Sequence, residues 1–172
     1  MRKLILFIAT SLDGYIAGPN GEIDWLFTNQ DYGYPEFYAT IDTVVMGRKT
    51  YEVSRSFGAY PYPGTRAFVF SRTRDGERDD HATFVSGDIS RFVKTLKFQP
   101  GRNIWLVGGG EIIRPLLQDD LIDEFRIFVH PIVLGTGVPL FPPPLSTKTL
   151  RLRDTHAFES GLVRLGYVRV NA

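Results

Sequence analysis

The chain has 172 residues, 43% hydrophobic and 23% charged, with a formal net charge of +1 and no cysteine. These totals fit one soluble globular domain with a substantial core and exclude a disordered chain. They also exclude disulfides and thiolate metal sites, and they argue against nucleic acid as the main partner, because no basic block is present.

In chain order, Lys3–Thr10 is a continuous apolar run without alternation, the pattern of a strand buried on both faces. Its apolar part, Leu4–Ala9, is too short to span a bilayer and has no cleavage site nearby, so a cytoplasmic protein is expected. Ser11–Gly21 is glycine-rich and reads as a loop; its segment from Gly14 to Gly21 has the hinges of a lid. A short helix is predicted near Pro35, then a strand at Thr43–Met46 and a helix from Arg48 to about Arg55. Further strands are expected at Arg66–Phe70 and Thr83–Val85. Asp88 is placed to cap a helix whose Ile89, Phe92, Val93 and Leu96 fall on one face. Ile104–Val107 reads as a buried strand and Glu111–Leu117 as the helix after it. Asp123–Val133 reads as a long strand, and Leu150–Phe158 with Leu162–Val170 as an antiparallel hairpin around Ser160-Gly161. The proline run at 139–145 reads as a rigid loop over the sheet. Strands alternating with helices predict an α/β domain over 1–172 with a mostly parallel central sheet.

Three strand ends carry the chemistry. IWLVGGGEII (104–113) gives up three consecutive side chains between a strand and a helix, where bare N–H groups can meet an anion. It lacks both the dinucleotide fingerprint and the P-loop ending, so alone it is equally a close helix–strand contact. VVMGRKTYE (44–52) repeats the pattern, with Arg48, Lys49 and Thr50 opening the helix. Cations are unfavourable at a helix N-terminus unless an anion joins them or an acid such as Glu52 pairs with them. AFVFSRT (67–73) offers Ser71 and Arg72 at a third strand end, and arginine can grip phosphate with two parallel hydrogen bonds. Parallel strands bring such ends to one edge, which suits a dinucleotide lying across it.

Together with ATSLDGYIAG (9–18) and VHPIVLGTGVPLFP (129–142), these motifs resemble the dihydrofolate reductase superfamily. Within it they resemble the reductase domain at the C-terminus of the riboflavin-biosynthesis protein RibD. The resemblance covers almost the whole chain and implies a dihydrofolate reductase-like three-layer fold, NADPH as cofactor and a homodimer. It implies that Ala9 and Ile16 hold the nicotinamide carboxamide through their backbone. Gly47, Arg48, Lys49 and Thr50 would then contact phosphate, and Ser71 and Arg72 the 2′-phosphate. Val107, Gly108, Gly109, Gly110, Glu111 and Ile112 would line the pyrophosphate, with the Glu111 side chain turned outward.

For the proton that accompanies hydride transfer, two acids compete. They are Asp31, just ahead of the helix, and Glu36, one residue after Pro35; the superfamily's carboxylate falls on Phe37 if Pro35 is anchored to the helix start, and on Asp31 if counted back from MGR. An acid buried beside Trp25 and Phe37 would be a proton donor, and Trp25 and Phe37 are the expected substrate contacts. Near Val129 and His130 no hydroxyl stands where folate reductases partner their carboxylate, which favours the RibD-like reduction of a ribosylaminopyrimidine over dihydrofolate. Asp13 reads as a turn residue, and His81, His130 and His156 lack metal-ligand spacing. The alternatives are a dihydrofolate reductase proper, a nucleotide-binding module without turnover, and an interaction protein that uses the proline loop and hairpin.

Overall fold

A computed structural model describes residues 1–170. One sheet of eight strands organises them, in the order β5-β4-β3-β6-β1-β7-β10-β9. β1 (Leu4–Thr10) is parallel to both β6 (Asn103–Gly108) and β7 (Glu124–Val129). β3 (Ile41–Gly47) is parallel to β6 and to β4 (Arg66–Phe70), and β4 is parallel to β5 (Ala82–Val85). The hairpin of β9 (Leu150–Ala157) and β10 (Val163–Arg169) closes the far side, with β10 antiparallel to β7.

Alternation along β1 divides the core. Leu4 and Leu6 face one helical layer, with Val93 and Leu96 of α3 (Ile89–Phe98) and Ile113 and Leu116 of α4 (Gly110–Gln118). Ile5 faces the other, with Phe37 of α1 (Tyr34–Tyr38) and Tyr51 of α2 (Arg48–Ser56). The result is the three-layer arrangement, each aliphatic side chain buried in it contributing about 1.5–3 kcal/mol. The expected cap is in place: the Asp88 carboxylate accepts from the Arg91 amide at 2.9 Å, a contact that stabilises a helix by about 1 kcal/mol.

Two elements differ from the expectation. The long strand at 123–133 ends at Val129, because Pro131 has no N–H to continue the ladder. At its start Asp123 is a cross-tie instead, accepting from the Leu4 amide at 2.7 Å and from buried Lys97 at 2.6 Å. The loop at 11–21 contains β2 (Tyr15–Ala17), which pairs antiparallel with β8 (Val138–Pro139). That anchors the segment read as a lid to the proline loop, and Asp13 adds a second anchor. Its carboxylate accepts from the Leu134 and Gly135 amides at 3.1 and 2.8 Å and from Ser11 Oγ at 2.6 Å; the serine contact and those amides hold its pKa below the ordinary carboxylate value.

Candidate active site

The chain turns in opposite directions after β3 and β6. α2 returns on the Tyr51 side of the sheet and α4 on the Ile113 side, so a crevice opens between the ends of two adjacent strands, the place where ligands of open α/β sheets bind. The two turns lie side by side: a Cβ on Gly47 would stand 3.9 Å from the Gly109 amide nitrogen, an ordinary contact distance. Gly47 and Gly109 are the residues preceding α2 and α4, and no side chain caps either helix. The first-turn amides of both therefore keep unsatisfied donors, and the positive ends of both dipoles face one spot.

The three consecutive glycines have three separate causes. Gly108 has φ +133°, a conformation that L side chains avoid, and a Cβ there would lie 3.3 Å from Ile8. A Cβ on Gly109 would lie 3.4 Å from Thr50 Oγ1 and 3.9 Å from Ile16, inside the crevice. Gly110 is buried, and its Cβ would lie 2.8 Å from the Pro139 carbonyl oxygen and 3.0 Å from Pro142. The missing side chain there makes room for the proline loop, while the Gly110 amide opens α4. The expected row of donors shortens as well, since the Ile112 amide already donates to the Gly109 carbonyl at 3.1 Å.

The charged residues sort themselves around this crevice. Arg48 pairs with Glu52 at 2.5 Å on the exposed side of α2, the intrahelical partner foreseen as its alternative role. Lys49 is exposed and has no ion pair among the described residues. Arg72 is 93% exposed and lies 3.9 Å from Glu111. Glu111 thus turns outward as expected, and the arginine stands at the mouth, held only loosely. Ser71 is buried, and its hydroxyl accepts from the Thr73 amide at 3.3 Å, so it shapes the turn that presents Arg72.

Next to the crevice, β1 parts from β6. Their register ends at Leu6↔Leu106, while β1 continues along β7 to Thr10↔Val129. The Trp105 indole donates to the Phe7 carbonyl at 3.0 Å across the gap. Past that point Ala9 and Thr10 pair with β7, a slot parts them from β6, and Ile16 lies beside Gly109. On the α1 side the slot is walled by aromatic rings. Phe7 stacks on Phe37 at 4.2 Å, Phe128 lies 4.5 Å from Phe7, and Tyr34 meets Trp105 at 5.8 Å. Burial pushes the Tyr34 phenol pKa up, which keeps it a neutral hydroxyl.

Neither expected acid joins this wall. Asp31 is exposed, and its carboxylate accepts from the Gly33 amide at 2.9 Å in the turn before α1. Glu36 is exposed in the first turn of α1, where its charge complements the helix dipole. The position between them and the core belongs to Phe37, 1% exposed. The expectation of an acid buried beside Trp25 and Phe37 is thus corrected: Asp31 and Glu36 both lie in solvent. Trp25 is half-buried, donates to the Glu22 carbonyl at 3.2 Å and meets His130 edge-on at 5.3 Å. Among the described residues no three His, Cys, Asp or Glu side chains converge as metal ligands, and no helix is long and apolar enough to cross a membrane.

Sequence reasoning missed the aromatic wall and the role of His130. The imidazole is 3% exposed; Nδ1 pairs with the Phe128 carbonyl at 3.2 Å and Nε2 accepts from the Phe27 amide at 3.1 Å. Its partner is 103 residues away in the chain, a distance no local motif reveals.

Residues 2–163 match the family model of the RibD C-terminal domain. The chain is 44% identical over 172 residues to the uncharacterised protein YwjB of Bacillus subtilis (strain 168), covering 98% of each. A solved structure provisionally assigned to riboflavin biosynthesis, from Shewanella sp. PV-4, is 34% identical, with a TM-score of 0.87 over 98% of this chain and 99% of that one. Dihydrofolate reductase of Enterococcus faecalis, solved with NADP(H) and the ligand RAB-propyl, superimposes with a TM-score of 0.75 at 19% identity, over 98% of this chain and 97% of that one. The dihydrofolate reductase-like fold expected from the motifs is therefore present.

Proposed function

Because the chain belongs to the RibD C-terminal domain family, we propose that it is an NADPH-dependent reductase of a pyrimidine- or pteridine-like compound. Its model is the reduction of 5-amino-6-(5-phosphoribosylamino)uracil in riboflavin biosynthesis. The observation that carries this reading is the meeting of two uncapped helix N-termini across Gly47 and Gly109. Unsatisfied amide donors and two converging dipoles fit a diphosphate, and Arg72 at the mouth fits the additional phosphate that separates NADPH from NADH.

When bound, NADPH supplies the hydride. The chain's own residues bind, orient and exclude water. The amides that open α2 and α4 hold the diphosphate, and Lys49 adds charge from the rim. The backbone at Ala9 and Ile16 would hold the carboxamide and so orient the nicotinamide. Phe7, partly exposed and backed by the buried Phe37 and Phe128, lowers the water content on the substrate side, and a flat heterocycle can lie against it. With no carboxylate in that wall, the proton comes from solvent at the open mouth, a reading that favours the pyrimidine over dihydrofolate.

The same absence gives a second reading, a nucleotide-binding module without turnover. Loss of NADPH absorbance separates the two. Oxidation on adding the ribosylaminopyrimidine, with little on adding dihydrofolate, is the expected result. NADPH bound but not consumed with either compound supports the module.

A further inference from the structure

Residues 23–30, between β2 and α1, have no helix or strand of their own. Among the described residues the hydrogen bond that ties Trp25–Phe27 to the sheet is the one from the Phe27 amide to His130 Nε2, at 3.1 Å. His130 is itself fixed on both sides. Its amide donates to the carbonyl of Thr10, the last residue of β1, at 2.8 Å, and its Nδ1 pairs with the Phe128 carbonyl. With Nδ1 carrying the proton, Nε2 is an acceptor, which suits the Phe27 N–H. The ring is also enclosed edge-on by Trp25 at 5.3 Å and Phe27 at 5.0 Å. Phe128 belongs to the aromatic wall and Thr10 ends β1, so His130 joins Trp25 and Phe27 to both.

We propose that His130 is a positioning residue: its Nε2 sets the Trp25–Phe27 segment as the substrate-side wall of the cleft, and protonation of the imidazole releases that wall. The part of this that concerns substrate rests on the reductase reading; the clamp itself does not. A protonated imidazole carries N–H on both nitrogens and has no lone pair left for Phe27. The elements packed on the ring contribute Thr10 from β1, Phe128 from β7 and Trp25 and Phe27 from the segment, none of which titrates in acid. Of the nearby carboxylates, Asp13 is engaged with Ser11, Leu134 and Gly135, Glu22 with Asn20, and Asp24 is exposed.

Burial pushes the His130 pKa below its ordinary value, with the two backbone partners opposing the shift only in part. The folded form thus favours the neutral ring, and the opened segment takes up the proton more readily. The clamp is fully present above the ordinary histidine pKa of about 6.5 and is lost as pH falls below it.

Amide exchange of Phe27, expressed as a protection factor in the intact protein, tests this. Wild-type protection should fall up to about thirtyfold between about pH 7.5 and about pH 5, the factor set by proton uptake of an ordinary imidazole in the opened segment. His130→Gln offers an amide oxygen that does not titrate, so its protection should be retained and independent of pH. His130→Phe keeps the ring but has no acceptor, and should leave Phe27 unprotected at both values. Equal wild-type protection at both values, a pH-dependent His130→Gln, or full protection in His130→Phe overturns the proposal; the glutamine variant decides it if the phenylalanine variant does not fold. NADPH titration of the same samples is read separately. No cofactor binding alongside a working clamp removes the reductase and leaves the clamp.

Discussion

The cofactor edge and the substrate wall are neighbours built on opposite principles. At the edge, backbone does the work: two helices open after Gly47 and Gly109 without side-chain caps and leave amides bare. At the wall, side chains do it: Phe7, Phe37, Phe128, Tyr34 and Trp105 close on one another, and His130 draws in the Trp25–Phe27 segment. The difference teaches that an anion site can be assembled from a short stretch that repeats at each strand end. A wall for a flat heterocycle needs partners gathered from the whole chain. Substitutions at the wall should therefore be felt as lost folding stability, and those at the edge as lost cofactor affinity.

The largest effect that would sharpen this contrast is expected from Phe37→Ala. Removing a ring that is 1% exposed and stacked on Phe7 at 4.2 Å should destabilise the protein by about 3–5 kcal/mol. Denaturant unfolding measures it, and a loss below about 1 kcal/mol would mean that the wall is loosely packed. An intermediate effect is expected from Arg72→Gln. Its side chain, 93% exposed, makes only a long contact with Glu111, so stability should stay within about 0.5 kcal/mol. NADPH affinity should drop about tenfold through loss of one charge-assisted contact, with NADH affinity unchanged. Equal losses for both nucleotides would break the assignment of Arg72 to the extra phosphate. The smallest effect is expected from Asp31→Asn and Glu36→Gln, each exposed and outside the wall. Turnover within about twofold of wild type is expected for both, since solvent supplies the proton; a collapse at either would restore that acid as the donor.

How much the sequence revealed follows the same division. β1, β3, β4 and β6 were legible as apolar runs, and α3 from the spacing of Ile89, Phe92, Val93 and Leu96 behind Asp88. Each depends on neighbours within a few residues. β2 and β8 were not legible, because strands of three and two residues carry no pattern and each exists through the other, across the Tyr15↔Pro139 pair. The strand at 123–133 was read too long because apolar character runs past Pro131 while the hydrogen-bond ladder cannot. The lack of a side chain at Gly110 has a cause no local motif shows, since the chain's own Pro139 fills the space a Cβ would take. Counting cannot choose between Asp31 and Glu36, and the fold leaves both acids in water.

The most direct test of the account is calorimetric titration of NADPH into the wild-type protein at low ionic strength, with Gly109→Val alongside. A saturable heat is predicted for the wild type, weakening as salt is added. In the variant that heat should be reduced about a hundredfold in affinity, because the added side chain would enter the crevice beside Thr50. No heat from the wild type, or undiminished affinity in the variant, would contradict the claim that the two glycine turns together hold the diphosphate.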